Sequence, residues 1–166
     1  MRKILFVCTG NTCRSSMAEG FLRHALSQDP ELGSRYEVAS AGVDACEGDP
    51  ASEASIQSLR EGWGIDIRSH RARYLELDDI LDAYLILTMS RSHKNRILSM
   101  FPGASAKTFT LKEFTAEKPA DPACRDYNYT LDISDPYGMP AKVYSQCASE
   151  IKEAVDRLVS RLKNGI

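Results

Sequence analysis

Ile4-Leu5-Phe6-Val7-Cys8-Thr9-Gly10-Asn11-Thr12-Cys13-Arg14-Ser15 decides how the rest of this chain is read. Four consecutive apolar residues describe a strand covered on both faces, the kind found in parallel sheets. In the polar run after it, Gly10 permits close backbone approach and Asn11 tolerates the left-handed conformation of a tight loop. From Ser15 onward Met17, Ala18, Phe21, Leu22, Ala25 and Leu26 fall on one stripe, so a helix is predicted over Ser15–Leu26. Strand, loop and helix in that order put residues 8–15 at the carboxyl end of the first strand, where open α/β sheets bind ligands. A backbone curled into a helix N-terminus there presents a cup of N–H donors to an anion.

The pattern continues outward in the same alternation. Tyr36–Ser40 reads as a second strand, and Asp49-Pro50 as a cap opening a helix through about Glu61, stopped by Gly62 and Gly64. A short helix is expected over Leu77–Leu81, a buried strand over Tyr84–Met89, and a helix over Ser92–Met100 closed by Pro102. Lys107–Leu111 reads as a fourth strand. Val143–Leu162 is the clearest helix, with Cys147, Ile151, Ala154, Val155, Leu158 and Leu162 on one face. Strands alternating with helices argue for a parallel α/β sheet. Thr115–Asp135, with Pro119 and Pro122, is the least regular stretch and reads as a functional loop. Tyr127 and Tyr129 fall within it as wall or surface residues.

The 166 residues suit a single domain spanning 1–166, and 43% hydrophobic with 27% charged residues suits a globular protein with a real core. A net charge of −2 predicts no bulk attraction to nucleic acid or to anionic membrane. The apolar run ends at Val7, too short for a signal peptide, and no stretch is long enough to span a bilayer. The five cysteines, Cys8, Cys13, Cys46, Cys124 and Cys147, are odd in number and lack zinc-site spacing, so they read as reduced thiols of a cytoplasmic protein. Cys147 is expected to pack in the core. Cys8 and Cys13 share one curled loop, where a reversible disulfide under oxidation is expected to spare Cys8 from sulfinic acid.

Cys-x5-Arg-Ser after a first strand is the layout of phosphoryl transfer through a cysteine. A phosphoryl group is held by backbone N–H groups and by the planar fork of Arg14, which grips two oxygens where a lysine offers a point charge. Cys8 attacks as a thiolate, and a helix N-terminus and a nearby cation are expected to lower its pKa. The Ser15 hydroxyl donates to that sulfur. A buried core thiol and an unrelated surface arginine would show the same letters, but the position after the first strand favours the chemistry. The leaving group needs an acid. Asp135, in Ser134-Asp135-Pro136-Tyr137-Gly138, is the best candidate, with Tyr137 walling the pocket; Asp132 lies close by, and spacing does not choose between them.

Cys8–Ser15 with Asp135-Pro136-Tyr137-Gly138 resembles the low-molecular-weight protein tyrosine phosphatase family. Ser40-Ala41-Gly42, Gly64-Ile65-Asp66, His70-Arg71-Ala72 and Thr88-Met89-Ser90 extend the likeness over nearly the whole chain. The resemblance implies a three-layer domain with a four-stranded parallel sheet flanked by helices and a phosphate-binding loop of Thr9, Gly10, Asn11, Thr12, Cys13, Arg14 and Ser15 after the first strand. It implies Cys8 as nucleophile, Arg14 as clamp, and Asp135 as acid then base. Ser15, Ser40 and His70 would pin Asn11. No cofactor and no metal are implied, and the partners are phosphorylated protein substrates acted on by a monomer. Thr12, where tyrosine-specific members carry a larger aliphatic residue, resembles the protein arginine phosphatase branch, as do Thr110-Leu111-Lys112-Glu113-Phe114 and the single aromatic after Pro136. A polar β-branched wall suits a thin phosphoguanidinium, and Asp44 and Glu47 would draw a cation to the rim. Ser16 departs from the family's usual proline, and Asp44 from an aromatic of the arginine branch. The alternatives are a phosphotyrosine phosphatase, an arsenate reductase, and an inactive phospho-residue binding module. Leu85–Phe101 lacks the resolving cysteines a reductase needs, and Cys8, Arg14 and Asp135 together disfavour an inactive module.

Overall fold

In the computed structural model, which describes residues 1–116 and 131–166, the apolar run from Ile4 to Val7 lies in β1 (Arg2–Cys8) and is completely buried. β2 (Tyr36–Gly42) pairs with one edge of β1 and β3 (Ala83–Thr88) with the other, and β4 (Thr108–Thr110) lies outside β3. The order is β2-β1-β3-β4 and every pairing is parallel. This is the four-stranded parallel sheet that the sequence resemblance implied.

The helices are α1 (Arg14–Gln28), α2 (Pro30–Arg35), α3 (Glu53–Trp63), α4 (Leu77–Asp82), α5 (Arg91–Met100), α6 (Leu111–Thr115) and α7 (Ala141–Lys163), with a 3₁₀ turn over Pro102–Lys107. Successive strand side chains point to opposite faces. Ile4, Phe6, Leu85 and Leu87 therefore pack on one face with Met17 and Phe21 of α1, Leu59 of α3 and Ile151, Val155 and Leu158 of α7. Leu5, Val7 and Ile86 pack on the other with Ile80 of α4 and Ile97 of α5. Both sheet faces are covered, which is why β1 shows no polar alternation.

Several boundaries differ from the sequence reading. The cap of α3 is Ser52, whose Oγ accepts from Ser55 N–H at 3.2 Å. Asp49-Pro50 does not open that helix, because Pro50 bridges Arg71 and the Asp49 carbonyl accepts from Ala72 N–H at 2.7 Å. Gly64 does end α3, at φ 66°. β4 is shorter than Lys107–Leu111 because Thr110 and Glu113 form a capping box that starts α6 at Leu111. α2 was not anticipated; Asp29 caps it and Pro30 occupies its first turn. Residues 117–130, and with them Pro119, Pro122, Cys124, Tyr127 and Tyr129, lie outside the described residues. Beyond them Ile133 is buried and its N–H donates to the Met89 carbonyl at 2.8 Å, which brings the segment carrying Asp135 to the carboxyl end of β3. Among the described residues no helix is long and apolar enough to cross a membrane.

Candidate active site

The loop between Cys8 and Arg14 turns on Asn11, the only non-glycine with positive φ (57°) among the described residues. A left-handed asparagine tolerates that strain when its side chain is tied down. Here every part of it is. Nδ2 donates to Ser15 Oγ and to Ser40 Oγ, both at 2.8 Å, and Oδ1 accepts from Arg73 N–H at 2.9 Å. The main-chain carbonyl of Asn11 receives His70 Nε2 at 2.6 Å. Ser15, Ser40 and His70 thus meet at Asn11, with His70 on its backbone rather than its amide.

The amide fixes the direction of the neighbouring protons. Asn11 Nδ2 can only donate, so both serine oxygens accept from it and keep their own hydrogens to give away. Ser40 gives its hydrogen to Glu19, a buried carboxylate that also faces His70 and pairs with Arg23. Glu19 is held below the usual carboxylate range by the hydrogens of His70 and Ser40 and the charge of Arg23, which together outweigh burial, the largest single influence on it. Ser15 Oγ lies 2.8 Å from Cys8 Sγ, with a hydrogen to give the sulfur when it is a thiolate, and Asn11 N–H approaches the same sulfur at 3.3 Å. A polar row thus runs from Glu19 to the thiol.

Cys8 ends β1 and is buried. Burial is the strongest influence on its thiol and pushes its pKa up, against the Ser15 hydroxyl, the Arg14 charge and the Asn11 N–H. This corrects the expectation of a lowered pKa, because helix position is visible in sequence and burial is not. These opposing groups, with the Ser15 N–H, are those that would hold the sulfur once it carries charge.

Arg14, 5% exposed, opens α1. Its Nη1 donates to the Ile133 carbonyl at 3.0 Å, and its Nη2 lies 3.4 Å from Asp135 Oδ2 and 3.5 Å from Thr9 Oγ1. Asp135 is half exposed and accepts from Tyr137 N–H at 3.1 Å. Asp132 accepts from Arg91 N–H at 2.8 Å and pairs with its guanidinium, contacts that hold its carboxyl below the usual range. Of the two carboxylates that spacing left open, Asp135 is the one on the cavity wall.

That cavity is about 270 Å³ and is lined by Cys8, Thr9, Gly10, Thr12, Cys13, Arg14, Asp135 and Tyr137, with Asp44, Cys46 and Asp49. Its size suits one phosphorylated side chain and falls below the usual range for drug-sized ligands. Tyr137 is 78% exposed, so it stands at the mouth rather than deep in the wall. Asp44 pairs with Arg96 at 3.0 Å, and Glu47 accepts from Tyr74 N–H. The rim charge expected of Asp44 is thereby shared with a cation, and Glu47 is spent on backbone. Asp49 and Cys46 were missed, since only the fold returns residues 44–49 to the loop. Cys13 Sγ lies near Ser52 Oγ and Tyr144 Oη, at 3.4 and 3.5 Å.

The end of β2 is pressed on the loop, with Val43 N–H donating to the Cys8 carbonyl and Asp44 N–H to the Thr9 carbonyl, both at 3.0 Å. A Cβ on Gly42 would lie 2.4 Å from the Thr9 carbonyl oxygen and 2.9 Å from Asn11 N. Gly42→Ala is therefore expected to cost about 1–3 kcal/mol, the usual range for overpacking. It should also reduce turnover, because the only relief is to move the loop; denaturant unfolding and steady-state kinetics on one preparation check both.

The description low molecular weight phosphotyrosine protein phosphatase matches residues 3–165. The chain is 40% identical over 161 residues to a protein of Geobacillus stearothermophilus named protein-arginine-phosphatase, covering 97% of this chain and 96% of that one. It is 36% identical over 157 residues to the low molecular weight protein-tyrosine-phosphatase PtpB of Staphylococcus epidermidis, covering 94% and 96%. The crystal structure of a low molecular weight protein tyrosine phosphatase from T. tengcongensis superposes with a TM-score of 0.80 at 41% identity, covering 96% of this chain and 99% of that one.

Proposed function

Because this chain belongs to the low molecular weight phosphotyrosine protein phosphatase family, we propose that its chemistry runs through Cys8, Arg14 and Asp135 on phosphorylated protein side chains, with phosphoarginine the favoured substrate. The observation that carries this is the convergence of the Cys8 thiol, the Arg14 guanidinium and the Asp135 carboxyl on one small cavity.

In the first step Cys8, its proton lost to solvent beforehand and its charge held by Ser15, Arg14 and the Asn11 N–H, attacks phosphorus as a thiolate. The S–P bond forms, the bond to the side-chain nitrogen or oxygen breaks, and Asp135 gives its proton to the departing atom. Arg14 and the N–H groups of residues 9–15 hold the three phosphoryl oxygens, over which the charge is spread in the transition state. In the second step water gives a proton to Asp135 and its oxygen to phosphorus. The S–P bond breaks and Cys8 leaves as a thiolate, steadied by the Ser15 hydroxyl, and phosphate is released.

Arginine is favoured over tyrosine by Thr12 and the Asp49 carboxylate on the cavity lining, and by the name of the 40% identical relative. A guanidinium carries N–H donors that these groups accept, whereas a tyrosine ring asks for an apolar wall. The second reading, phosphotyrosine, is supported by Tyr137 at the mouth and by the name of the 36% identical relative. The test is kcat/KM on matched phosphoarginine and phosphotyrosine peptides. Thr12→Ile is expected to shift the ratio toward tyrosine by about 10-fold or more, the scale of one altered pocket contact. A ratio unchanged in Thr12→Ile would remove Thr12 as the discriminating residue.

A further inference from the structure

A hydrogen-bonded row of Ser90, His93 and Thr9 ends at Arg14, and none of the steps above uses it. His93 lies in the first turn of α5 and is buried. Ser90 caps that helix, its Oγ accepting from His93 N–H at 3.3 Å. The imidazole Nδ1 lies 2.8 Å from Ser90 Oγ, and Nε2 lies 2.9 Å from Thr9 Oγ1. On the far side of that hydroxyl stands Arg14 Nη2, at 3.5 Å.

The donors set the order. A guanidinium only donates, so Thr9 Oγ1 accepts from Arg14, and the arrangement that gives the Thr9 hydrogen an acceptor sends it to His93 Nε2. Nδ1 then carries the ring proton and donates to Ser90 Oγ, which turns its hydrogen to Ser92 Oγ at 2.9 Å. Every donor in the row has an acceptor, and the ring is neutral. Burial, with the charges of Arg14 and Arg96, holds His93 down to about 4 against the opposing pull of Asp135 and Asp132. A neutral ring lets Thr9 keep an oxygen lone pair toward Arg14 across the working pH range.

We infer that His93 is a positioning residue for the phosphoryl clamp: it orients the Thr9 hydroxyl, and that hydroxyl and the Ile133 carbonyl hold the Arg14 guanidinium from two sides. Its contacts run to Ser90 and Thr9, so its influence on the reaction passes through Thr9. This rests on the reading of Arg14 as the clamp. An arginine out of plane still attracts the substrate's charge but grips the transferring oxygens poorly, so the loss falls on kcat rather than KM.

The experiment compares Thr9→Val, His93→Ala, the double variant and His93→Gln on one phosphorylated peptide, with Arg14→Lys alongside. Thr9→Val and His93→Ala are each expected to lower kcat about 10-fold with KM within about 2-fold, the scale of one positioned hydrogen bond. The double variant should lose no more than the poorer single variant, because both break the same row. His93→Gln should recover most of the activity, since its terminal carbonyl can accept from Thr9. Losses that multiply in the double variant, or a His93→Ala protein with lower Tm and unchanged kcat, would overturn the inference. If His93→Ala does not fold, Thr9→Val with and without His93→Gln decides: equal rates support the row, and a further slowing by His93→Gln overturns it. Wild-type turnover in Arg14→Lys would sink the clamp reading itself, whereas a slow Arg14→Lys with a normal Thr9→Val sinks only the role given to His93.

Discussion

Cys8→Ser is expected to leave no more than about one ten-thousandth of wild-type kcat/KM on any phosphorylated peptide, the scale seen when a covalent nucleophile is removed. The change is nearly isosteric, so β1 is expected to end at Ser in place of Cys8 with its backbone kept. What disappears is a group able to ionise. A serine hydroxyl attacks only with a base beside it, and the Ser15 hydroxyl at 2.8 Å, Asn11 N–H at 3.3 Å and the Ser15 N–H beside this sulfur are donors, not bases. They can steady an anion and cannot create one. The cup of N–H groups is untouched, so inorganic phosphate should still inhibit or bind with an affinity close to that of the wild type. Hydrolysis retained by a pure, metal-free Cys8→Ser protein would overturn the assignment of the nucleophile.

Arg14→Lys is expected to cost about 10²–10⁴ in kcat, with a smaller rise in KM, the range seen when a positioned cation or donor is lost from a transition state. Charge is conserved in this variant; geometry is not. Arg14 divides its donors between the Ile133 carbonyl, at 3.0 Å, and the side facing Thr9 and Asp135. A lysine has one nitrogen for all of these and no plane to lay against a phosphoryl face. It also leaves the Ile133 carbonyl short of a partner in a buried place, so some loss of Tm accompanies the loss of rate. Kinetics at saturating substrate separate the two, because a change confined to stability leaves kcat near normal.

Much of this was legible because independent local signals coincided. An apolar run, a glycine and asparagine in the loop, and a helical stripe from Met17 identify β1, the cup and α1 within 26 residues of sequence. Helix ends were legible where the stop is chemical, as with the left-handed Gly64, and were misread where two caps competed, as with Asp49-Pro50 against Ser52. Ser40 and His70 were legible only through resemblance, for their partner Asn11 lies 29 and 59 residues away and no local pattern records that distance. Spacing alone does not separate Asp135, the better candidate, from Asp132, and the ion pair of Asp132 with Arg91 has no local signature in sequence. Glu19 left a signal that was passed over: with Ser15 and Leu22 it shares a buried helical face, where an acid is rare unless partnered. Asp44 was assigned to the rim, and Arg96, 52 residues on, takes up its charge. Thiol burial is a property of the finished fold, which is why its upward pull on Cys8 is not legible in the sequence.

The ties on Asn11 also determine when this site comes into being. Residues 8–15 are made before the groups that hold them, which come from Ser40, His70 and Arg73, and before the partners of Arg14 at Ile133 and Asp135. Such distant closures are made late in folding, after local helices and turns. A nascent chain that has finished its first strand and helix therefore carries an unshaped loop and an ordinary thiol. A chain truncated before Ile133 is expected to be inactive even with Cys8 intact, which turnover by purified truncated protein checks.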